Sequence, residues 1–432
     1  MKRLIASAGL VAVGATGLQA AYAPGLTPME TSKTWSVAAS LRGFYDDNYN
    51  TAPSHPSNPL IPNAKGSFGA EISPQFALNI PGDQTFVGAS YVYTLRYYDA
   101  RANNNTDHNH EFNAKLDHRF SERYRVVLSD SFAYSQEPEV LESNGTVSTP
   151  IRTTADGLRN EVNLDLTGQI TELLGFEATY QNIWYNYFQN ASDLQREFPL
   201  SLGIGSHAGT LNRIEHLFDV KGTWQVQEHL LAFAGYKYGI VNYTSSDPVD
   251  FSLDPGSIRD NTAHYFYVGG SHSFSSQFSG SLEAGATYTR FEHFAASDSW
   301  TPYADLQGTY SYLPGSSVQI GFRHARNATD QAQILGSTIT DQETSTVYAS
   351  INHRVTSQLT ASLLGQYQMS EFKSAAAGGQ VDNLFLVGLS LLYRINQNWA
   401  AEAGYNFDRL DSDITDRSFT RDRYYVGVRA NY

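Results

Sequence analysis

The chain has 432 residues, a formal net charge of −14 and no cysteine. The acidic excess disfavours nucleic acid as a partner, and the lack of cysteine excludes a disulfide scaffold, a cysteine nucleophile and a thiolate metal site. Tyrosine (28) and phenylalanine (23) are abundant although only 17% of the residues are charged.

The N-terminus carries the three parts of a secretory signal in order. A positive start, Met1-Lys2-Arg3, precedes an apolar stretch at residues 4–18 and a small-residue cleavage site, Ala21-Tyr22-Ala23. The apolar stretch is too short to span a bilayer, and the alternative is a buried N-terminal helix. The predicted organisation is a signal peptide at residues 1–23, a short periplasmic segment at 24–34 and a transmembrane β-barrel at 35–432.

Apolar and polar residues alternate along many short stretches of the chain. In the clearest one, Trp399, Ala401, Ala403, Tyr405 and Phe407 occupy every second position. A period of two places these residues on one face of a strand. Aromatic residues at both ends of an apolar face are typical of a strand that touches lipid and ends at the two membrane interfaces.

Eighteen such strands are predicted, in the order 34–47, 65–80, 84–99, 109–120, 122–136, 156–170, 173–190, 211–225, 228–245, 261–274, 276–294, 299–312, 315–328, 344–355, 357–372, 381–395, 397–410 and 418–432. Their connectors alternate between eight short turns and nine longer loops. The pattern predicts an all-β fold, a transmembrane antiparallel up-and-down β-barrel of about 18 strands without a plug domain. The even strand number brings both termini to the periplasm. A water-soluble β-sandwich is the structural alternative, but strands this long exceed the usual length in globular sheets.

A hairpin motif recurs along the chain. Residues 230–238 read LLAFAGYKY, residues 282–288 read LEAGATY, and residues 400–407 read AAEAGYNF. Each copy leaves a short turn and passes through alanine and glycine before it reaches tyrosine. The repeated unit is therefore the hairpin itself.

The last strand alternates like the others and ends on an aromatic residue. Tyr424, Val426, Val428 and Tyr432 share its apolar face. Such an end resembles the signal by which the barrel-assembly machinery recognises its clients, although most of these signals end in phenylalanine. The simpler interpretation is a final strand with an interfacial aromatic residue.

Taken together, the strand number, the Tyr/Ala/Gly hairpin motif, the absence of a plug and the aromatic C-terminus resemble the Putative beta-barrel porin 2 class of bacterial outer-membrane proteins. The resemblance covers the whole mature chain and lies in architecture more than in a diagnostic motif. It implies an outer-membrane β-barrel of a Gram-negative-type bacterium. Members of the class are regarded as porins, and some belong to polysaccharide-secretion systems. The resemblance does not imply a particular cargo.

Strand parity predicts which charged side chains face the lumen. The arginines of the last strand lie beside Arg42 of the first strand, because these strands must pair to close the barrel. Arg42, Arg421, Arg423 and Arg429 are the candidates for a basic ladder that attracts anions. The alternative is that they pair with inward carboxylates such as Asp46 and Glu402. The predicted basic pore-lining residues are Arg42, Lys115, Arg119, Lys237, Arg323, Arg394, Arg421, Arg423 and Arg429.

The loop at residues 191–210 is unusually apolar. Phe198, Leu200, Leu202 and Ile204 are too apolar to be left in water. We predict that they fold into the barrel mouth as a constriction, and the alternative is packing against a neighbouring subunit.

Two other loop features offer weaker signals for a metal. Aspartates cluster in two long connectors, and His108 and His110 stand close together in the stretch 103–110. The acidic spacing matches no calcium loop, and the histidines lack a third ligand, so solvated loops are favoured and no metal site is predicted. The aspartates are Asp247, Asp250, Asp254 and Asp260 in one loop and Asp408, Asp411, Asp413 and Asp416 in the other.

The function predicted from these features is a porin-like outer-membrane channel for the passive passage of small hydrophilic solutes. Polysaccharide export and a surface-loop adhesion or structural role are the alternatives. Export gains some support because Tyr303, Tyr348, Gln366 and Gln368 face inward by parity. Enzymatic activity is not expected, since the histidines are scattered and no serine has a nucleophile context. The expected partners are outer-membrane lipid and lipopolysaccharide, the barrel-assembly machinery, and small hydrophilic solutes or polysaccharide; no cofactor and no nucleic acid are expected, and a homo-oligomer is left open.

Overall fold

The computed structural model describes residues 33–58, 61–102, 104–136, 156–193, 205–249, 253–293, 297–331, 333–334, 337–374 and 379–432. The strands are β1 (Trp35–Asp46), β2 (Ser67–Pro81), β3 (Thr85–Tyr98), β4 (Thr106–Arg119), β5 (Tyr124–Ser135), β6 (Gly157–Gln169), β7 (Leu174–Tyr187), β8 (Arg213–Gln227), β9 (Leu230–Tyr243), β10 (Asn261–Ser273), β11 (Phe278–Phe291), β12 (Ser299–Leu313), β13 (Ser316–Asn327), β14 (Gln333–Ile334), β15 (Ser337–Thr338), β16 (Asp341–Arg354), β17 (Leu359–Lys373), β18 (Val381–Arg394), β19 (Trp399–Ser412) and β20 (Phe419–Asn431). The predicted signal peptide lies outside the described residues.

Eighteen of these strands form one closed antiparallel sheet. Each strand pairs with its neighbours in sequence, and β1 pairs with β20 from Ala38↔Asn431 to Asp46↔Arg423. The backbone groups of the first and last strands therefore satisfy each other, which leaves no open edge in the membrane. The predicted fold class is confirmed, and the predicted strand ends lie within about three residues of the observed ones.

The two faces of the sheet differ as a membrane barrel requires. On β20, Val426 is 65% exposed and Val428 is 42% exposed, whereas the residues on either side of this pair, Tyr425 and Arg429, are buried. We call the face with the exposed apolar residues the outer face and the opposite face the inner face. Apolar groups outside and polar groups inside are stable only where lipid replaces water on the outer face.

Side-chain oxygens shape the short turns. Ser275, Thr356 and Asn396 each accept hydrogen bonds from the backbone N–H groups two and three residues further on. Such turns satisfy donors that the tight connection would otherwise leave without a partner. The short turns thus follow from local sequence alone.

Two sequence-based boundaries are wrong. β4 begins at Thr106, three residues before the predicted start, so His108 lies within the strand together with His110. β19 continues to Ser412, two residues past the predicted end, so Asp411 and the buried Asp408, which were counted among the loop aspartates, are strand residues. In both strands the ladder continues through polar residues because backbone pairing does not depend on an apolar side chain.

The longer connectors contain structure that the alternation pattern does not predict. A short helix α1 (His207–Leu211) precedes β8, a 3₁₀ turn spans Gly256–Arg259, and β14 pairs with β15 between β13 and β16. No helix in the described part of the chain is long and apolar enough to cross a membrane.

Candidate channel lumen

The inner face is not uniform around the barrel. Inner side chains are mostly buried on β16–β20 and β1–β3, which we call the packed wall. They are mostly half-buried or exposed on β4–β8, which we call the open wall. The closure between β1 and β20 lies within the packed wall.

A chain of alternating charges crosses this closure. Arg42 Nε donates to Glu402 Oε1 (2.6 Å), and its Nη1 donates to Glu71 Oε1 (2.8 Å). The other carboxylate oxygen of Glu71 accepts from Arg96 Nε (2.6 Å). Arg42, Glu71 and Glu402 are all less than a tenth exposed. We call Arg96, Glu71, Arg42 and Glu402 the seam network, because it joins β3, β2, β1 and β19.

Gly427 allows Arg42 to reach across β20. It lies opposite both Arg42 and Glu402 in the register. A β-carbon at this position would stand 2.5 Å from the carbonyl oxygen of Leu41 and 2.7 Å from Cγ of Arg42. The glycine therefore opens the path along which the guanidinium spans two strands.

A second ion pair lies nearer the outer loops of the same closure. Arg421 on β20 forms a buried ion pair with Asp46 on β1. Asp47 then accepts from the backbone N–H of Asp422 (2.7 Å), and Asn48 Nδ2 donates to the carbonyl of Thr420 (2.8 Å). Side chains thus continue the connection between the first and last strands beyond the ladder.

These contacts bear on the predicted basic ladder. Arg42 contacts Glu402 and Arg421 contacts Asp46, which are the carboxylates that the alternative interpretation proposes. Arg429 is buried and its Nε donates to Asn431 Oδ1 (3.2 Å), and Arg423 lies opposite Asp46 in the register. The four arginines share the inner face, but Arg42 and Arg421 are already neutralised by the wall.

Lys237 is the centre of a second charged cluster, on β8–β12. Its Nζ lies 2.5 Å from Glu283 and 4.0 Å from Asp219. The ammonium also stands over the rings of Tyr267 (4.5 Å) and Tyr303 (4.9 Å to the centroid). Carboxylates and aromatic faces therefore surround this cation.

Tyrosines of the inner face lie over glycines of adjacent strands. Tyr267 is opposite Gly235, where a β-carbon would stand 2.4 Å from the ring. Tyr425 covers Gly404 in the same way, with a separation of 2.2 Å. Gly235 and Gly404 are the glycines of two of the three copies of the hairpin motif, so the structure explains the motif in these two copies. The glycine accommodates the flat ring, and the tyrosine hydroxyl then reaches further, as when Tyr267 donates to Asp219.

The other predicted pore-lining residues lie elsewhere on the inner face. Lys115 and Arg119 are exposed near the short turn after β4, and Arg394 is exposed at the end of β18. Arg323 lies opposite Asp305 in the register. Sequence parity thus grouped residues that lie at separate places along the wall. A common water-filled path past them stays a prediction.

The open wall carries hydroxyl and amide groups that sequence reasoning did not single out. Glu161 Oε1 accepts from Asn163 Nδ2 and from Gln181 Nε2, both at 2.9 Å. Asp165 accepts from the hydroxyl of Thr179 (2.8 Å). Because these groups are only half-buried, they present polar atoms to the interior.

Two outer connectors pack against each other above β7–β10. Asp247 accepts from the hydroxyl of Ser206 (2.7 Å) and from the backbone N–H of Ala191 (2.7 Å). The fully buried Arg259 donates to the carbonyl of Thr210 at the end of α1. Burial lowers the pKa of His207 at the start of α1 below its usual value. The predicted constriction residues Phe198, Leu200, Leu202 and Ile204 lie outside the described residues.

Another buried ion cluster ties three outer segments together. Arg417 donates through both Nη atoms to Asp330 (2.8 Å each) and through Nε to Asp382 (2.8 Å). Next to it, Ile334, Ile339 and Phe372 form a small apolar cluster. Only tertiary contact reveals this cluster, because its members come from connectors and strand ends that are far apart in sequence.

The residues with weak metal signals serve other contacts. Nδ1 of His108 bonds the hydroxyl of Tyr93 (2.7 Å), and Nδ1 of His110 bonds that of Tyr91 (2.8 Å). Asp260 accepts from the backbone N–H of Tyr243 (2.7 Å). Within the described ranges, no three metal-ligating side chains converge.

The proposed assembly residues all lie on the outer face of β20. Tyr424 is 51% exposed, and Tyr432 is 70% exposed at the end of the chain. The ring of Tyr432 packs against Trp35 with centroids 5.7 Å apart. Recognition by the assembly machinery stays a prediction.

The chain is similar to several solved structures and to one protein family. The crystal structure of OccAB4 from Acinetobacter baumannii has a TM-score of 0.45 at 13% identity, over 94% of this chain and 100% of that chain. A BenF-like porin from Pseudomonas fluorescens Pf-5 has a TM-score of 0.46 at 8% identity, over 93% and 99% of the two chains. No curated protein sequence matches the chain. The family model described as Putative beta-barrel porin 2 matches residues 212–432, just over half of the sequence, and the chain therefore belongs to that family.

Proposed function

We propose that the protein is an outer-membrane porin-like channel through which small hydrophilic solutes pass passively. The observation that carries this function is the closed 18-stranded barrel with an apolar outer face and a polar inner face. Such a wall is stable in lipid and wettable inside, and barrels of this strand number are wide enough to leave an aqueous path.

Three finer points belong to the same proposal. Both termini are periplasmic, the C-terminal strand is read by the barrel-assembly machinery, and the protein acts without catalysis. Support for the first point is that Val37 and Tyr432 exchange backbone hydrogen bonds at the short-turn end of the barrel (3.1 and 2.8 Å). Short turns face the periplasm in outer-membrane barrels.

Polysaccharide export gains no specific support from the inner face. The inward residues that would favour it, Tyr303, Tyr348, Gln366 and Gln368, are between 1% and 8% exposed. Side chains buried to this degree offer little surface on which a sugar ring could stack. Small solutes are therefore the better match to the wall.

Planar lipid bilayers test the channel. The purified, folded protein should produce stepwise ion conductance, whereas the same preparation unfolded by heat in detergent should produce none. Absence of conductance steps from folded protein would contradict the proposal. Accessibility of a tag placed after Tyr432 in intact and permeabilised cells tests the periplasmic position of the C-terminus.

A further inference from the structure

Opposite charges face one another along the inner wall. The register places Arg42 opposite Glu71 and Glu71 opposite Arg96 in the packed wall. In the open wall it places Glu177 opposite Lys221, with Nζ and Oε1 2.8 Å apart. At these three positions the strand register itself brings the opposite charges together.

Other oppositely charged side chains of the inner face contact each other between strands without being directly opposite in the register. Arg125 and Asp117 join β5 to β4 through two hydrogen bonds, at 2.7 and 2.5 Å. Lys237 has one carboxylate at 2.5 Å and a second at 4.0 Å. A cation with a carboxylate within 3 Å presents the lumen with a short dipole, whose field decays faster than that of a lone charge. At about 0.1 M salt, the remaining field of the pair is screened for ions that are about 10 Å away.

Two exposed basic residues lie beside the Arg125–Asp117 pair, toward one end of the wall. Lys115 and Arg119 flank Asp117 near the short turn after β4. Near that end of the barrel the wall approaches bulk water, where screening is strongest. Lys115 and Arg119 therefore contribute less to the selection between anions and cations than a charged ring midway along the wall would.

The half-buried groups of the open wall suit a different kind of solute. Asn163, Gln181 and Thr179 are held in place by Glu161 and Asp165. Amide, hydroxyl and carboxylate oxygen atoms can exchange hydrogen bonds with solute hydroxyls as readily as with water. A solute rich in hydroxyl groups can therefore replace water along this wall at little cost.

We propose that the channel favours uncharged, hydroxyl-rich solutes such as small sugars, and discriminates weakly between anions and cations, because its wall neutralises its own charges. This inference rests on the channel function proposed above. It replaces the interpretation in which a basic ladder attracts anions.

The wild-type protein tests the proposal in two measurements. In bilayers under a KCl gradient, the permeability ratio of chloride to potassium should lie within about threefold of unity. In liposome swelling, glucose should enter faster than gluconate, which has a similar size and one negative charge. A strong preference for either ion, or faster entry of gluconate, would overturn the inference while leaving the channel function intact. Absence of both conductance and swelling would contradict the channel function itself.

A charge variant tests the cause. Glu71→Gln with Glu402→Gln removes the carboxylates that contact Arg42 and Arg96, and it should shift the permeability ratio toward chloride by at least about threefold. The matched control is Glu371→Gln with Asp411→Asn, which removes two exposed carboxylates that are not on the inner face and should leave the ratio unchanged.

A second variant tests the same cause at another ion pair, in case the first does not assemble into a barrel. Glu177→Gln removes the partner of Lys221 in the open wall, where the carboxylate is 35% exposed and assembly should tolerate the change. A shift toward chloride supports the proposal. An unchanged ratio in an assembled inner-face variant would overturn it.

Discussion

The packed wall and the open wall are built from the same strand pattern but differ in what their inner side chains contact. On the packed wall, Arg42 is 8% exposed and Leu386 is fully buried. On the open wall, Glu161 is half-buried and Lys115 is exposed. The packed wall contains the junction of the first and last strands, the one pairing that no turn connects. We infer that buried ion pairs and aromatic–glycine contacts stabilise this closure, while the open wall is left for solutes.

The largest expected effect comes from Gly427→Leu. Its β-carbon would collide with the backbone oxygen of Leu41 at 2.5 Å and displace Arg42 from the seam network. Because backbone cannot move aside without breaking the β1–β20 ladder, closure should fail and the folded band in unheated electrophoresis should be lost.

Gly43→Leu is the control for this prediction. Gly43 lies on β1 opposite Val426, in the same closure, but nothing stands within 4 Å of its β-carbon position. This variant should fold normally. Equal folding of the two variants would show that the closure does not depend on the space at Gly427.

Arg42→Met should destabilise the folded barrel without preventing closure. Removing this cation leaves the carboxylates of Glu71 and Glu402 buried but without their contact to Arg42. Such a change typically lowers the free energy of unfolding by about 3–5 kcal/mol. Urea-induced unfolding in lipid vesicles measures the loss. Arg409→Met breaks an exposed pair with Asp411 and should cost about 1 kcal/mol or less; equal losses would contradict the role of the seam network.

Glu161→Ala addresses the open wall. Two hydrogen bonds from Asn163 and Gln181 are lost, but water can replace them, so the free energy of unfolding should fall by less than about 1 kcal/mol. Unfolding in the same vesicles checks this value. A loss as large as that of Arg42→Met would remove the distinction between the two walls.

The smallest effect is expected in the outer loops, at His207. Burial lowers its pKa, so the unfolded loop binds a proton more readily than the folded loop. Stability from the neutral form is present above the usual pKa of 6.5 and falls as the pH decreases below it. Limited proteolysis near α1 should therefore accelerate from pH 7.5 to pH 5, and His207→Gln should remove this acceleration if the histidine is its cause.

Much of the barrel could be predicted because a strand in a membrane has two chemically different faces. The alternation from Trp399 to Phe407 placed β19 to within about two residues, and the connector lengths implied the closed, even-numbered sheet. Where polar residues continued a strand, as at 106–108 and 411–412, the same rule made the predicted strand too short at that end. Backbone pairing extends past the lipid, where the alternation no longer has a cause.

The candidate lumen was predicted only as a set of residues on one face. Parity placed Arg42, Arg421 and Glu402 on that face, but parity contains no information on which strand a long side chain can reach. The contact of Arg42 with Glu402 depends on the register and on the missing side chain at Gly427. The glycine of the hairpin motif was visible in the sequence. That it makes room for a tyrosine ring of the adjacent strand became clear only from the structure.

By itself, then, the sequence determined the strands, their number and which face of each meets lipid, because these follow from a local period of two and from the chemistry of the bilayer. Tertiary structure alone decided which charges neutralise one another, which wall is packed and how the outer connectors fold. Those features depend on distances between residues that are remote in sequence, such as Asp46 and Arg421. Charge pairing at that range is set by the closure of the barrel, which brings Arg421 to Asp46 and Arg42 to Glu402, while the basic ladder as a whole stays a prediction.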